Sequence, residues 1–323
     1  FVLCVAALVF LSSPFVTRHF TGWEIATGIC IVIACTGAIR AFSGPTFGAL
    51  ISQVVPRDIL PAAASISSAS WLMASITGHA MGGFLIAFIG IHGSFWVIIG
   101  LTLTGLFLVS KISAKPVLVS KAANTWQSVK EGIHYVFKTR EMLGAISLDL
   151  FAVLFGGAVA LLPVFAKDIL KIGPLGFGWL NAATDIGSII MVTLLTIWPL
   201  NKGQGKKLFF AVGGFGICII VFALSENFWL SFFALLASGC MDGISVIIRS
   251  TILQIKTPDE LRGRVMSVNS MFINSSNELG QFESGVAAKL MGTVPSVIFG
   301  GCMTLAVVII TWFKAPTLRK MEY

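Results

Sequence analysis

Long apolar runs recur along the whole chain, and they constrain its fold more than any other feature of the sequence. A helix of about 18 or more apolar residues can cross a hydrocarbon core about 30 Å thick. Hydrophobic residues make up 56% of the chain and charged residues only 11%, against roughly 25% charged in a soluble globular domain. The chain is therefore predicted to be an integral membrane protein. Ten apolar runs can be marked, near residues 1–13, 24–53, 62–90, 93–110, 142–166, 175–199, 207–224, 228–255, 265–290 and 294–313.

The spanning segments are predicted to be helices. Backbone amides find no water in lipid, so each spanning segment must satisfy its own hydrogen bonds. The short alternating strands of a closed barrel do not fit these runs. The first run begins at Phe1 without a methionine and is already apolar, so we expect the chain to be truncated inside a helix. The predicted fold class is an all-α membrane protein.

The six cysteines and the formal net charge of +8 do not indicate a metal site or a nucleic-acid-binding surface. All six cysteines fall in apolar runs, without C-x-x-C spacing and without histidines at zinc-ligand spacing. The basic residues are scattered among short loops and are not gathered on one face. We therefore expect the cysteines to be packing residues, and we expect no metal, no cofactor and no nucleic-acid partner.

The basic residues indicate how the spans are oriented. Successive loops lie on alternate sides, and cytoplasmic loops carry an excess of Lys and Arg. One set of loops, which includes Arg57, the linker and the C-terminus, holds sixteen of the 22 Lys and Arg residues, whereas the other set holds only Arg18, Lys167 and Lys171. The first set is therefore predicted to be cytoplasmic in a bacterial-type inner membrane, with the chain crossing it many times.

The longest polar stretch, residues 111–140, is the predicted domain boundary. It separates an N-terminal half (1–110) with four runs from a C-terminal half (141–323) with six. Two halves joined by a cytoplasmic linker are a transporter architecture, with the substrate cavity between them.

An apolar stripe within the linker predicts a helix. Trp126, Val129, Ile133 and Phe137 recur at helical spacing, with charged residues off the stripe. This pattern is typical of an amphipathic helix that lies on the membrane surface. A solvated linker helix is the alternative.

The two halves repeat a short pattern that also carries a family resemblance. Residues 55–58 (VPRD) and 257–260 (TPDE) each lead into a helix, and the same offset pairs Gly83 with Gly285. Residues 40–46 (RAFSGPT), 257–265 (TPDELRGRV) and 277–285 (NELGQFESG) resemble the enterobactin-exporter-like branch of the major facilitator superfamily. The resemblance covers essentially the whole chain.

The resemblance implies a fold and a function. It places the chain from the third to the twelfth helix of a two-half transporter, with the first two helices missing. Members of this branch export siderophores, macrolides and other amphipathic compounds, usually in exchange for protons. This chain departs from the branch at Gly78-His79, where Gly-Pro is usual, and at Gln281, where an acidic residue is common.

The resemblance also implies a cytoplasmic gate at the two repeated loops. In the family, basic residues in these loops latch the inward-facing side, although a plain topological role for the charges is the alternative. Thr257, Pro258 and Glu260 have the spacing of a capping box, with Thr257 as the N-cap. The gate candidates are Arg57, Asp58, Asp259, Glu260, Arg262 and Arg264.

Ionisable residues inside the apolar runs are the main candidates for function. A charge at the centre of a membrane helix costs about 2.5 to 3.5 kcal/mol on insertion scales, so its presence needs a reason. His79 is added because an unperturbed imidazole titrates near neutral pH. Lys289 lies near a helix end, where it can extend to the interface. The candidates are Arg40, His79, Asp149, Asp185, Asp242, Arg249, Glu278 and Glu283.

Two groups of these candidates share a helix face. Asp242 and Arg249 are seven residues apart and are expected to pair through a partner between them, although such pairs can serve only to lock helices together. Asn274, Asn277, Glu278 and Gln281 form a polar stripe that either faces a cavity or bonds neighbouring helices. A carboxyl group in a low-dielectric site favours its protonated form. Glu278 is therefore our first candidate for proton coupling and Asp242 the second.

The sequence contains no sign of ATP use or catalysis. Residues 203–207 (GQGKK) fail the phosphate-loop pattern, and no nucleophile, base and orienting group occur together. The prediction is a monomeric, proton-coupled antiporter that exports a small amphipathic molecule and is not an enzyme. A lysophospholipid or lipid flippase and a non-transporting membrane receptor or scaffold are the alternatives.

Overall fold

A computed structural model describes residues 1–56, 59–112, 125–198 and 202–322, and all regular elements in these ranges are helices. The chain divides into two compact units, Phe1–Leu118 and Val119–Tyr323. The first unit contains α1 (Val2–Leu11), α2 (Pro14–His19), α3 (Gly22–Val54) and α4 (Leu60–Ser110). The second contains α5 (Thr125–Lys138), α6 (Arg140–Phe155), α7 (Leu162–Val164), α8 (Pro174–Ile197), α9 (Gln204–Leu224), α10 (Phe228–Lys256), α11 (Asp259–Met291), α12 (Thr293–Lys314) and α13 (Pro316–Arg319).

In the first unit, α1 contacts both α3 and α4. The helix α4 covers two predicted runs and is interrupted at Gly90, whose φ of 71° suits a residue without a Cβ. Just after this break, His92 Nδ1 lies 3.1 Å from the Ser12 hydroxyl, while its Nε2 accepts a hydrogen bond from Trp96. The break lies where the sequence predicts the end of one span and the start of the next.

In the second unit, α10 packs against α8 and α9, while α11 packs against α5, α6 and α12. Two apolar clusters form its core. One joins Leu148 of α6 to Ile248 and Ile252 of α10. The other surrounds Phe165 and Phe222. Both ends of the unit are thus filled by apolar side chains.

Seven helical segments of the described residues are long and apolar enough to cross a membrane. The helix α1 has only ten residues, and α4 contributes one long segment, Met73–Ser110, that continues across the Gly90 break. The helix α11 has 33 residues but falls outside this set, because it carries charged and amide side chains along its length. These polar residues include the predicted stripe of Asn274, Asn277, Glu278 and Gln281.

The predicted run 142–166 is not a continuous helix. Regular α-helix ends at Phe155, and the chain continues through Gly156 and Gly157 into short 3₁₀ and π turns that end at Ile169. Side chains from neighbouring helices bond carbonyls at the break. The Ser284 hydroxyl donates to Gly157 O at 3.1 Å, and the Thr304 hydroxyl donates at 3.1 Å to Ala152 O, which also accepts from Gly156 N. A break inside a membrane span needs such substitutes for the lost helical bonds.

The linker helix α5 packs against α11 and α6 of the second unit. Val136 is fully buried, and a Cβ at Gly132 would lie 2.9 Å from the Arg264 carbonyl oxygen. Tyr135 donates a hydrogen bond to Lys256 O at 2.7 Å. Phe137 of the predicted stripe is 56% exposed, Ile133 packs against the core of the second unit, and the buried face of α5 includes Gly132 and Val136.

The predicted capping box at Thr257 is wrong. Thr257 ends α10, and its buried hydroxyl donates to Leu253 O at 2.5 Å within that helix. Pro258 occupies the N-cap position of α11 and has no side chain that can cap it. The Thr257 hydroxyl bonds a carbonyl of its own preceding turn and does not cap the amides of the helix that follows.

Candidate functional site

A buried ion pair joins α6 to α10. Arg249 of α10 contacts the Asp149 carboxylate of α6, and the two residues are 5% and 6% exposed. The fully buried Leu148 and Ile248 precede the two charges along the chain, so the charges are held within the apolar core of the second unit. Arg249 thus pairs with an acid on a neighbouring helix.

A small cavity lies beside this ion pair. Asp149 and Asp242 both line it, together with Ser245 and apolar residues of α6, α9 and α10. Its volume is about 20 Å³. The two carboxylates that the sequence singled out separately on α6 and α10 therefore share one site.

Ser245 is the member of this site that sequence reasoning missed. It is 2% exposed, and its hydroxyl has no hydrogen-bond partner among the described residues. Ser245 follows Asp242 by three residues, so both side chains lie on one face of α10. A serine three residues after an acid in a membrane helix could have identified Ser245 from the sequence. A single serine in an apolar run is usually a packing residue, however, so it was not singled out.

Close helix packing surrounds the site. Gly280 of α11 and Gly300 of α12 contact the backbone carbonyls of Leu154 and Phe155 at the end of α6. Gly243, next to Asp242, contacts the backbone of α8 at Ser188. Because small residues allow helix backbones to approach closely, they restrict how far the side chains at the site can move.

The polar stripe of α11 is not part of this cavity. Asn274, Asn277, Glu278 and Gln281 are all exposed in the structure, while Glu283 is half-buried. Lys289, near the end of the helix, is exposed. The stripe and the buried pair are therefore separate polar features of the second unit.

The structure describes three further candidates. Arg40 of α3 and His79 of α4 are exposed and belong to the first unit. Asp185 is half-buried near the middle of α8. None of the three lines the cavity beside Asp242.

The predicted gate residues are only partly described. Arg57 and Asp58 lie outside the described residues, and the side chain of Asp259 is not described either. Glu260 and Arg262 are exposed at the start of α11. Arg264 forms an ion pair with Glu131 of α5, with both side chains partly exposed. The gate segment that follows α10 is therefore attached to the linker helix.

A larger open groove of about 730 Å³ lies where α5 meets α6. Both basic and acidic side chains line it, so its charge is mixed. Its ionisable lining residues are Glu131, His134, Tyr135, Lys138, Arg140 and Glu141.

The chemistry available at these sites is proton binding and charge pairing. Within the described ranges, no group of three or more His, Cys, Asp or Glu side chains is arranged to hold a metal ion. The α6–α10 site instead brings the buried carboxylate and guanidinium of Asp149 and Arg249 close to the half-buried carboxylate of Asp242. Intramembrane charges of this kind commonly mark ion or substrate pathways.

Comparison with known proteins identifies the family. The chain is 22% identical to the uncharacterized MFS-type transporter YfmI of Bacillus subtilis (strain 168) over 306 residues, which is 91% of this chain and 74% of that protein. It is 21% identical to the multidrug efflux pump Tap of Mycobacterium tuberculosis (strain ATCC 25618 / H37Rv) over 304 residues, 90% of this chain and 72% of Tap.

The uncharacterized MFS-type transporter YfiS of Bacillus subtilis (strain 168) is 24% identical over 301 residues, 86% of this chain and 69% of YfiS. The model of the Major Facilitator Superfamily matches residues 1–281. The all-α fold predicted from the sequence is confirmed by this match and by the helical structure. The chain belongs to the Major Facilitator Superfamily of membrane transporters.

Proposed function

We propose that this transporter is a proton-coupled exporter of small amphipathic molecules. The observation that carries the proposal is the acid-rich site between α6 and α10, where the buried Asp149–Arg249 ion pair and the half-buried Asp242 lie among apolar side chains. Burying these charges costs free energy in a membrane protein, and transporters commonly use such groups to carry protons. In an exporter driven by a proton gradient, such a site would bind and release the coupled proton.

The efflux direction is supported by a relative. The similarity to Tap covers 90% of the chain, and Tap is named a multidrug efflux pump. An efflux pump for several drugs must accept compounds of different shape that share an amphipathic character. We extend this substrate class to the present chain, as a monomer in a bacterial-type cytoplasmic membrane.

The proposal is tested with the intact gene product that contains this chain, reconstituted in liposomes with an acidic lumen. If protons leave the lumen in exchange for substrate, a fluorescent amphipathic cation should accumulate inside. A proton ionophore should abolish the accumulation. Movement of a fluorescent lysophospholipid in place of the dye would favour the flippase alternative, and movement of neither would favour a receptor or scaffold.

Proton coupling is proposed to run through a carboxylate of the second unit. Asp242 is preferred because it is half-buried and lines the small cavity together with Asp149. Glu278, the first candidate from the sequence, is exposed on α11 and stays the alternative. In Asp242→Asn, pH-driven accumulation should fall to the level of protein-free liposomes, because the amide cannot take up and release the proton. Dye binding, measured by fluorescence polarisation, should survive.

Glu278→Gln is the matched comparison, because it also replaces one carboxylate by its amide. This variant should keep pH-driven accumulation if coupling runs through Asp242. The opposite outcome, with Glu278→Gln inactive and Asp242→Asn active, would transfer the coupling role to the polar stripe of α11.

The orientation proposed from the basic residues is tested by thiol labelling. Lys130 of α5 and Lys167 after α7 are both exposed in the second unit, and the charge distribution assigns them to opposite sides of the membrane. In a cysteine-free background, Lys167→Cys should react with an impermeant maleimide in intact cells. Lys130→Cys should react only after the membrane is permeabilised. Labelling of Lys130→Cys in intact cells would contradict the orientation.

A further inference from the structure

We infer that the cavity between α6 and α10 binds a single water molecule, through which Asp242 receives the proton beside the Asp149–Arg249 ion pair. The inference deepens the proposed function, on which its role in transport rests. Its structural basis is independent of transport: two carboxylates and the Ser245 hydroxyl line one small cavity.

The size and lining of the cavity suit one water molecule. A cavity needs roughly 10 to 15 Å³ to hold a water, and the water needs two to four polar partners. This cavity has a volume of about 20 Å³ and offers the side chains of Asp149, Asp242 and Ser245. The remaining lining is apolar, with Phe215 and Met241 among its residues.

Ser245 supplies the observation that points to a ligand. Its hydroxyl is buried and has no hydrogen-bond partner among the described residues. Leaving a buried hydroxyl unbonded costs about 1 to 3 kcal/mol, so such groups normally have a partner. A second buried serine of α10, Ser238, donates to Leu235 O at 2.6 Å and shows how the helix itself satisfies such a group. A water between Ser245 and the carboxylates would do the same at the cavity.

The charge of the site favours one additional proton. Asp149 is already paired with Arg249, and within the described part of the chain Asp242 forms no ion pair. If both acids are ionised, the three side chains together carry one net negative charge. Charges in a low-dielectric interior are stabilised only when they are balanced. One proton on Asp242 makes the site neutral.

The proton is assigned to Asp242 and not to its neighbours. Arginine keeps its proton in proteins, so Arg249 stays cationic and holds Asp149 as a carboxylate. A hydronium ion in the cavity then loses one O–H bond, a new O–H bond forms on a carboxylate oxygen of Asp242, and one water remains. Proton release is the same step in reverse.

Ionisable groups on the other helices that pack against α10 do not line the cavity. They are Asp185 on α8, Lys206, Lys207 and Cys218 on α9, and Glu260, Arg262, Arg264, Glu278, Glu283 and Lys289 on α11. On α6, Arg140 and Glu141 are at the far end of the helix from Asp149 and are also not among the lining residues. Among the described side chains, the ionisable groups that line the cavity are Asp149 and Asp242, and Arg249 is paired with Asp149.

Infrared difference spectroscopy of the purified intact protein in nanodiscs tests the site without any substrate or pH gradient. The protonated-carboxyl band is followed as a function of pH in the parent protein and in Asp242→Asn, Ser245→Ala and Ser238→Ala. Asp242→Asn should remove one titrating band. Ser245→Ala removes a partner of the water and should change the proton concentration at half-titration by about fivefold, the effect of losing one neutral hydrogen bond. Ser238→Ala should titrate like the parent.

An unchanged band in Asp242→Asn, or a parent-like titration in Ser245→Ala, overturns the inference. If Asp242→Asn does not fold, Ser245→Ala decides alone, because it removes a single oxygen. The site and the proposed function can fail separately. If Asp242 titrates but the protein shows no pH-driven transport, the water site is supported and the proposed function is rejected. If the protein shows pH-driven transport but lacks this band, the proposed function is supported and the water site is rejected.

Discussion

Replacing Asp149 with leucine is expected to destabilise the second unit by about 3 to 5 kcal/mol, because it leaves the buried Arg249 without its counter-ion. Arg249 is 5% exposed, so water cannot readily replace the lost carboxylate. The free energy of unfolding of the purified protein in mixed micelles measures the effect. Glu278→Gln, an exposed change on α11, should stay within about 0.5 kcal/mol of the parent.

Replacing Arg249 should lower the free energy of unfolding by less than replacing Asp149. Arg249→Met leaves Asp149 unpaired, but a carboxyl can become neutral by taking up a proton, whereas a guanidinium cannot lose one. The double variant Asp149→Leu with Arg249→Met removes both charges and should recover most of the lost stability, as apolar replacements of buried pairs often do. Equal effects of the two single changes, or a double variant as unstable as Asp149→Leu, would contradict a buried ion pair between them.

Gly239→Ala is expected to lower the stability of the second unit by about 1 to 3 kcal/mol or more, because overpacking forces backbones apart. A Cβ at Gly239 would overlap the backbone carbonyl of Thr184, where α8 and α10 cross. Gly187 of α8 meets the backbone of Leu236 in the same way, so both helices have a glycine at the crossing. A backbone carbonyl cannot turn aside as a flexible side chain can.

Gly213→Ala on α9 is the matched control. Its nearest neighbour to an added Cβ is Val308 Cγ1 at 3.9 Å, an ordinary van der Waals distance. Alanine favours the helix over glycine by about 1 kcal/mol, so Gly213→Ala should be neutral or stabilising. The measurement is the same unfolding transition. A Gly239→Ala variant as stable as Gly213→Ala would show that α8 and α10 are further apart than the structure places them.

Several elements were predictable because their signals are local. Hydropathy located the helices α8, α9, α10 and α12 to within a few residues, and the apolar periodicity of residues 126–137 located α5. The break after Phe155 was not predicted, because its compensating hydrogen bonds come from Ser284 and Thr304, more than a hundred residues away. The face of α5 that packs against α11 was not predicted for a similar reason, since it depends on Gly132 being small enough to lie against the Arg264 backbone.

The sequence by itself determined that this protein is helical, that it spans a membrane, and that Asp149, Asp242 and Arg249 lie inside spans, because each of these follows from composition and spacing along one segment. Only the tertiary structure decided that Arg249 pairs with Asp149 and that Ser245 joins both acids at one cavity. A charge in an apolar interior is stabilised by the opposite charge nearest to it in space. Which charge is nearest depends on how α6 and α10 pack together, and the 100 positions that separate Asp149 from Arg249 carry no local signal of that packing.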